Sequence, residues 1–111
     1  MRIAYLGTSE AGLRWMRTYY RRNPQLRIGR AAAALRTAEA ILREHPAAGR
    51  RFEDFEAVRE YLLHGTSFSL LYTVARDTVW IIDVRDQRGQ RSAEALRHFL
   101  AELRAKEQGT D

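Results

Sequence analysis

Val58–Arg91 reads VREYLLHGTSFSLLYTVARDTVWIIDVRDQRGQR, and this stretch decides the fold. Its densest apolar runs are Phe68–Val74 (FSLLYTV) and Thr78–Val84 (TVWIIDV). The dipeptide Arg76-Asp77 lies between them, a gap that fits a hairpin turn. β-branched and aromatic residues crowd both runs, as packing on a pleated surface favours. A third strand over Val58–Leu63 leads into them through His64-Gly65-Thr66. Alternation places Arg59, Tyr61 and Leu63 on one face of it and Val58, Glu60 and Leu62 on the other. In the next strand Phe68, Leu70, Tyr72 and Val74 oppose Ser69, Leu71 and Thr73. In the last, Val79, Ile81 and Asp83 oppose Trp80, Ile82 and Val84. The meander ends in an arginine-rich loop, RDQRGQR.

The remainder of the chain supplies cover for this meander. Arg2–Leu6 reads as a short first strand ended by Gly7. Thr8 or Ser9 can cap a helix whose apolar side carries Leu13, Met16 and Tyr20, widened by Trp15 and Tyr19. That helix stops near Asn23, because the residue before Pro24 disfavours the helical region. A second helix spans about Gln25 to Glu44, with a buried stripe of Ala31, Ala34, Leu35, Ala38, Ile41 and Leu42. His45-Pro46 ends it, and Ala47–Glu56 reads as a charged loop. After the arginine-rich loop, Ser92 can cap a final helix with Leu96, Phe99, Leu100 and Leu103 on one side. The expected fold is α+β: a small twisted antiparallel sheet in the order β-α-α-β-β-β-α, with a helical hairpin packed on one face. The other face, with its Ser and Thr and either Arg59 or Glu60, is left half-open.

The 111 residues suit one domain, residues 1–111, with one modest core. Apolar residues at 45% argue against disorder. The absence of cysteine rules out disulfides and thiolate metal sites. MRIAYLGTSE has too short an apolar run for a signal peptide, and nothing approaches a membrane span, so a cytoplasmic protein is expected. The net charge is +5, and every basic residue but Lys106 is arginine. Most of that charge lies in the first half, which suggests an anionic partner, nucleic acid or an acidic protein segment.

Within this frame the candidate residues are few. Arg85, Arg88 and Arg91 surround Gly89 and could hold a phosphate or neutralise developing charge, next to Arg59 at the open sheet face. The plainer alternative is a charged turn in which Arg85 pairs with Asp83 or Asp86. His45, His64 and His98 lack metal-ligand spacing and read as surface residues. No metal or cofactor site is expected. Trp15, Tyr19, Tyr20 and Trp80 read as core or interface residues rather than base-stacking platforms.

The order V-R, polar turn, F-x-L-L-Y-x-V, two-residue turn, T-V-x-I-I-x-V and arginine-rich loop resembles the RelE/ParE superfamily, the toxins of bacterial type II toxin–antitoxin pairs. Upstream, Asn23-Pro24 breaks what looks like the family's helical hairpin. His45-Pro46-Ala47-Ala48-Gly49-Arg50 is similar to the family's P-x-x-G-R turn. The resemblance implies a cognate antitoxin whose C-terminal segment wraps the toxin, here expected over Trp15, Tyr19, Leu71, Trp80, Phe99 and Leu103. DNA would then be contacted only indirectly, through the antitoxin.

Mechanism divides the superfamily. The RelE branch cleaves mRNA on the ribosome with basic residues on the meander strands and an arginine with a tyrosine or histidine beyond. The ParE branch, associated with plasmid stabilisation, poisons DNA gyrase. In this sequence Glu60 and Leu62 stand where nuclease members place basic groups, Ser69 where they place an arginine, and Gly89 where they place the later one. No tyrosine follows, and His98 lies well along the helix. A base and an acid for 2′-OH attack are therefore missing. The ParE-like, non-nuclease reading follows: a growth inhibitor that acts by binding gyrase, with Arg59, Arg88 and Arg91 as target- or phosphate-binding residues. Its alternative is a ribosome-dependent endoribonuclease with a rearranged site of Arg59, Arg85, Arg88, Arg91 and His98.

Overall fold

Alternation in the meander becomes a five-stranded sheet in the computed structural model, which describes residues 1–89 together with 104 and 105. The strands are β1 (Arg2–Tyr5), β2 (Arg50–Phe52), β3 (Phe55–Leu62), β4 (Phe68–Ala75) and β5 (Thr78–Asp86), and the helices are α1 (Glu10–Arg22) and α2 (Ile28–Glu44). Across the sheet the order is β1-β5-β4-β3-β2. The α+β architecture expected from the sequence is therefore present, with the hairpin helices on one side. The final helix anticipated after Ser92 lies outside the described residues.

Two features of the sheet depart from the expectation. It is mixed rather than wholly antiparallel, because β1 joins β5 in parallel, with Ile3 opposite Val79 and Tyr5 opposite Ile81. A parallel neighbour requires a long crossover, and the whole helical hairpin and three strands supply it. The expected charged loop Ala47–Glu56 also contains a strand. Arg50 and Arg51 pair with Glu60 and Arg59, so β2 covers the outer edge of β3.

The register of the meander shows which residues face the helices. Tyr72 lies opposite both Arg59 and Ile81, and Leu70 opposite Tyr61 and Val84. Between Tyr72–Ile81 and Leu71–Asp83 the register shifts, leaving Ile82 as the extra residue of a β-bulge. A bulge changes the phase of the strand it interrupts. Val79 and Ile81 point into the core before it, Val84 and Asp86 after it, and all four are buried. The uninterrupted alternation expected for this strand, with Val84 opposed to Val79, is thereby corrected. The β4–β5 hairpin turns at Arg76-Asp77 as expected, with Arg76 at a φ of 57°.

α1 lies against β5 and the helices cover one side of the sheet. Met16 and Tyr20 of α1 and Ala31, Ala38 and Leu42 of α2 form the core with Leu63, Phe68, Leu70, Tyr72, Val79, Ile81 and Val84. Gly12 permits the closest approach: a β-carbon there would meet the Val84 carbonyl and lie 2.9 Å from its nitrogen. Neither expected cap is used. Ser9 Oγ donates to the Leu6 carbonyl at 2.6 Å and Thr8 Oγ1 to the Ile82 carbonyl at 2.6 Å, tying the turn before α1 to the sheet. α2 begins three residues later than expected, because Pro24–Leu26 forms a single 3₁₀ turn and Arg27, at a φ of 58°, breaks the helical path. Among the described residues no helix is long and apolar enough to cross a membrane.

Candidate functional site

Arg85 and Asp86 are consecutive strand residues and so project to opposite faces of the sheet. Each anchors a separate polar cluster. On the helix side Asp86, 5% exposed, accepts from the Trp15 indole Nε1 at 2.9 Å through Oδ2. The turn after β5 brings Arg88 back onto the same carboxylate: its backbone nitrogen and Nε reach Oδ1 at 3.0 and 2.9 Å, and Nη2 reaches Oδ2 at 3.0 Å. The guanidinium also lies over the Tyr19 ring, 3.8 Å from its centre. Burial alone would push the Asp86 carboxyl up. The Arg88 side chain, the Trp15 indole and the Arg88 backbone N–H outweigh it, and the group titrates below the ordinary carboxylate range.

The open face holds the second cluster. Glu60 is 7% exposed and sits beside Ser69 and Arg85 across β3, β4 and β5. Its Oε2 accepts from Ser69 Oγ at 2.6 Å and from Arg85 Nη1 at 3.1 Å. Arg85 also lies 5.3 Å from the centre of the Phe52 ring, which stacks on exposed Phe55. Here too burial raises the carboxyl pKa, and the Ser69 hydroxyl and Arg85 bring it down below its ordinary value.

The expected convergence of arginines does not occur among the described residues. Arg59 faces the helix side opposite Tyr72 and donates to the Gly49 carbonyl at 2.7 Å, bracing the turn after α2. Arg85 is on the other face with Glu60, not Asp83 or Asp86, and Arg88 is held by Asp86. Arg91 and His98 lie outside the described residues. The expected interface residues also divide. Leu71 and Trp80 share the open face, both half-buried, whereas Trp15 and Tyr19 lie on the helix side within the Asp86–Arg88 cluster. Phe99 and Leu103 lie outside the described residues. Among those described, no group of three His, Cys, Asp or Glu side chains could hold a metal ion.

Tyr72 was legible as a core residue but not as a polar anchor. Its buried hydroxyl donates to the Pro46 carbonyl at 2.7 Å and accepts from the Gly49 nitrogen at 2.8 Å. With Arg59 on the Gly49 carbonyl, both polar groups of that glycine are satisfied. The P-x-x-G-R turn is thereby fastened to the middle of the sheet, close enough that a β-carbon at Gly49 would lie 2.6 Å from the Tyr72 hydroxyl.

A protein-family model described as the ParE toxin of the type II toxin–antitoxin system, parDE, matches residues 5–91. No curated protein matches the chain. The matched span runs from the end of β1 through both helices, the whole meander and the Asp86–Arg88 turn. Sheet order, helical hairpin and family match agree, and the chain belongs to the ParE toxin family of type II toxin–antitoxin systems.

Proposed function

We propose that this toxin arrests growth in the cytoplasm by binding DNA gyrase, and that a cognate antitoxin silences it by covering the open sheet face around Leu71 and Trp80. The observation that carries the non-nuclease reading is the commitment of every candidate arginine among the described residues to an internal partner. Arg59 is on a backbone carbonyl, Arg85 on Glu60 and Arg88 on Asp86, on two different faces. A phosphodiester-cleaving site needs its cations aimed at one point where charge develops. Support for the covering antitoxin comes from the open face itself, where Leu62 is 48% exposed on the same face as half-buried Leu71 and Trp80.

The test is a brief induction of the chain without antitoxin, with mRNA 5′ ends and covalent gyrase–DNA complexes measured in the same cells. Growth arrest with trapped DNA cleavage and no new message ends is the expected result. New ends inside translated codons, lost in Arg88→Ala or Arg91→Ala, would instead establish the ribosome-dependent nuclease. Leu71→Asp should weaken antitoxin capture while leaving arrest intact.

A further inference from the structure

On the helix side, away from the open face, a cavity of about 610 Å³ lies between the end of α1, the start of α2 and the turn joining β3 to β4. Its size falls within the roughly 300–1,000 Å³ range of small-ligand pockets. Among the described residues the charge on its walls has one sign: Arg27, Arg30 and Arg88 line it, and no carboxylate does. Asp86 stands behind Arg88 and offsets that charge, but Arg27 and Arg30 form no ion pair among the described residues. Two guanidinium groups that line one recess with no carboxylate partner among the described residues favour an anion between them.

The facing wall is built to admit polar oxygens. Gly65 has a φ of 79° and nothing within 4 Å of where a β-carbon would stand, so its backbone is open to the recess. Thr66 Oγ1 is engaged with the Leu63 carbonyl at 2.8 Å, whereas the Ser67 hydroxyl makes no side-chain hydrogen bond among the described residues. Planar guanidinium forks match phosphate oxygens in pairs, and a hydroxyl opposite them can donate a further bond.

We propose that this cavity binds a small phosphorylated ligand of the pyrophosphate class, free or as the tail of a nucleotide. Its oxygens lie between Arg27 and Arg30, with Arg88 and Tyr19 as the floor and Ser67 opposite. The site is separate from the open face and independent of which protein the toxin inhibits. A concave recess bordered by three elements suits a small ligand, which it can contact from several sides.

The test is calorimetric titration of the full chain with sodium pyrophosphate at low salt, repeated with Arg30→Gln, Arg27→Gly and Arg36→Gln. Arg36 is exposed on the same helix but does not line the cavity. Saturable one-site binding is expected, weakened about tenfold by Arg30→Gln and by Arg27→Gly, as loss of a charge-assisted hydrogen bond implies. Arg36→Gln should bind like the parent. Absence of saturable binding overturns the proposal, and so does an equal loss in Arg36→Gln, which would mean diffuse attraction. A short DNA duplex that binds through Arg27 and Arg30 and excludes pyrophosphate would overturn the small-ligand assignment in favour of a nucleic-acid contact. Adenosine diphosphate binding more tightly than pyrophosphate would support the nucleotide form.

Discussion

The Trp15 indole donates to Asp86 at 2.9 Å, joining the middle of α1 to the last residue of β5. Three hydrogen bonds from Arg88 complete the shell of that carboxylate. Asp86→Asn keeps the shape but turns an amide NH₂ toward donors. Removing one partner of a buried charge pair is costly, though Arg88 retains 27% side-chain exposure and some access to water. A loss of about 2 kcal/mol is expected in urea unfolding, together with a change in tryptophan emission as the Trp15 contact is altered.

Glu60 and Asp86 make stability depend on pH in a defined direction. Both folded-state pKa values lie below the unfolded ones. A depressed carboxyl contributes stability that is fully present above the unfolded value, about 3.9–4.3, and lost as pH falls through the folded value. The urea midpoint should therefore change little from about pH 7 to 5.5 and fall below about pH 4. In a Glu60→Gln, Asp86→Asn double variant the parent's extra loss on acidification should largely disappear.

Tyr72→Phe tests how the turn after α2 is held. The substitution removes one oxygen and leaves the Gly49 N–H and the Pro46 carbonyl without their partner. An unsatisfied buried donor costs about 1–3 kcal/mol, and that loss is expected in chemical denaturation. Amide exchange at Gly49 should quicken more than the global loss explains.

Two glycines in helices should respond in opposite directions to alanine. Gly12→Ala gains helix propensity, but its β-carbon collides with the Val84 backbone, which cannot rotate aside. Overpacking of this kind costs about 1–3 kcal/mol, so net destabilisation is expected. At Gly29 nothing lies within 4 Å of the added carbon, and alanine should stabilise by about 0.5 kcal/mol. Thermal melts of the two variants provide the comparison.

The strands of the meander were legible because their residue types and two-residue turn leave little freedom. The bulge was not, because TVWIIDV is apolar in both phases and an extra residue costs no visible pattern. Nor was β2: it is three residues long, two of them arginine, and only its pairing with β3 makes it a strand. The parallel placement of β1 has no local signature, since alternation is the same in either direction. The site was harder still. Arg59 is bound by a backbone carbonyl, which no residue type announces, and Arg88 rather than Arg85 meets Asp86 because the chain turns immediately after β5. Without the bulge, the face to which Asp86 belongs could not be assigned.

The pairing of Arg2 with Thr78 has a consequence for synthesis. The first strand to leave the ribosome must wait for the last strand of the meander before it has a neighbour, and α1 waits for the same strand to pack upon. A nascent chain ending at Asp77 carries both helices and most of the sheet, yet lacks the strand to which β1, β4 and α1 all attach. Contacts so distant in sequence form late. A chain interrupted before β5 therefore cannot complete the sheet, however much of its length has been made.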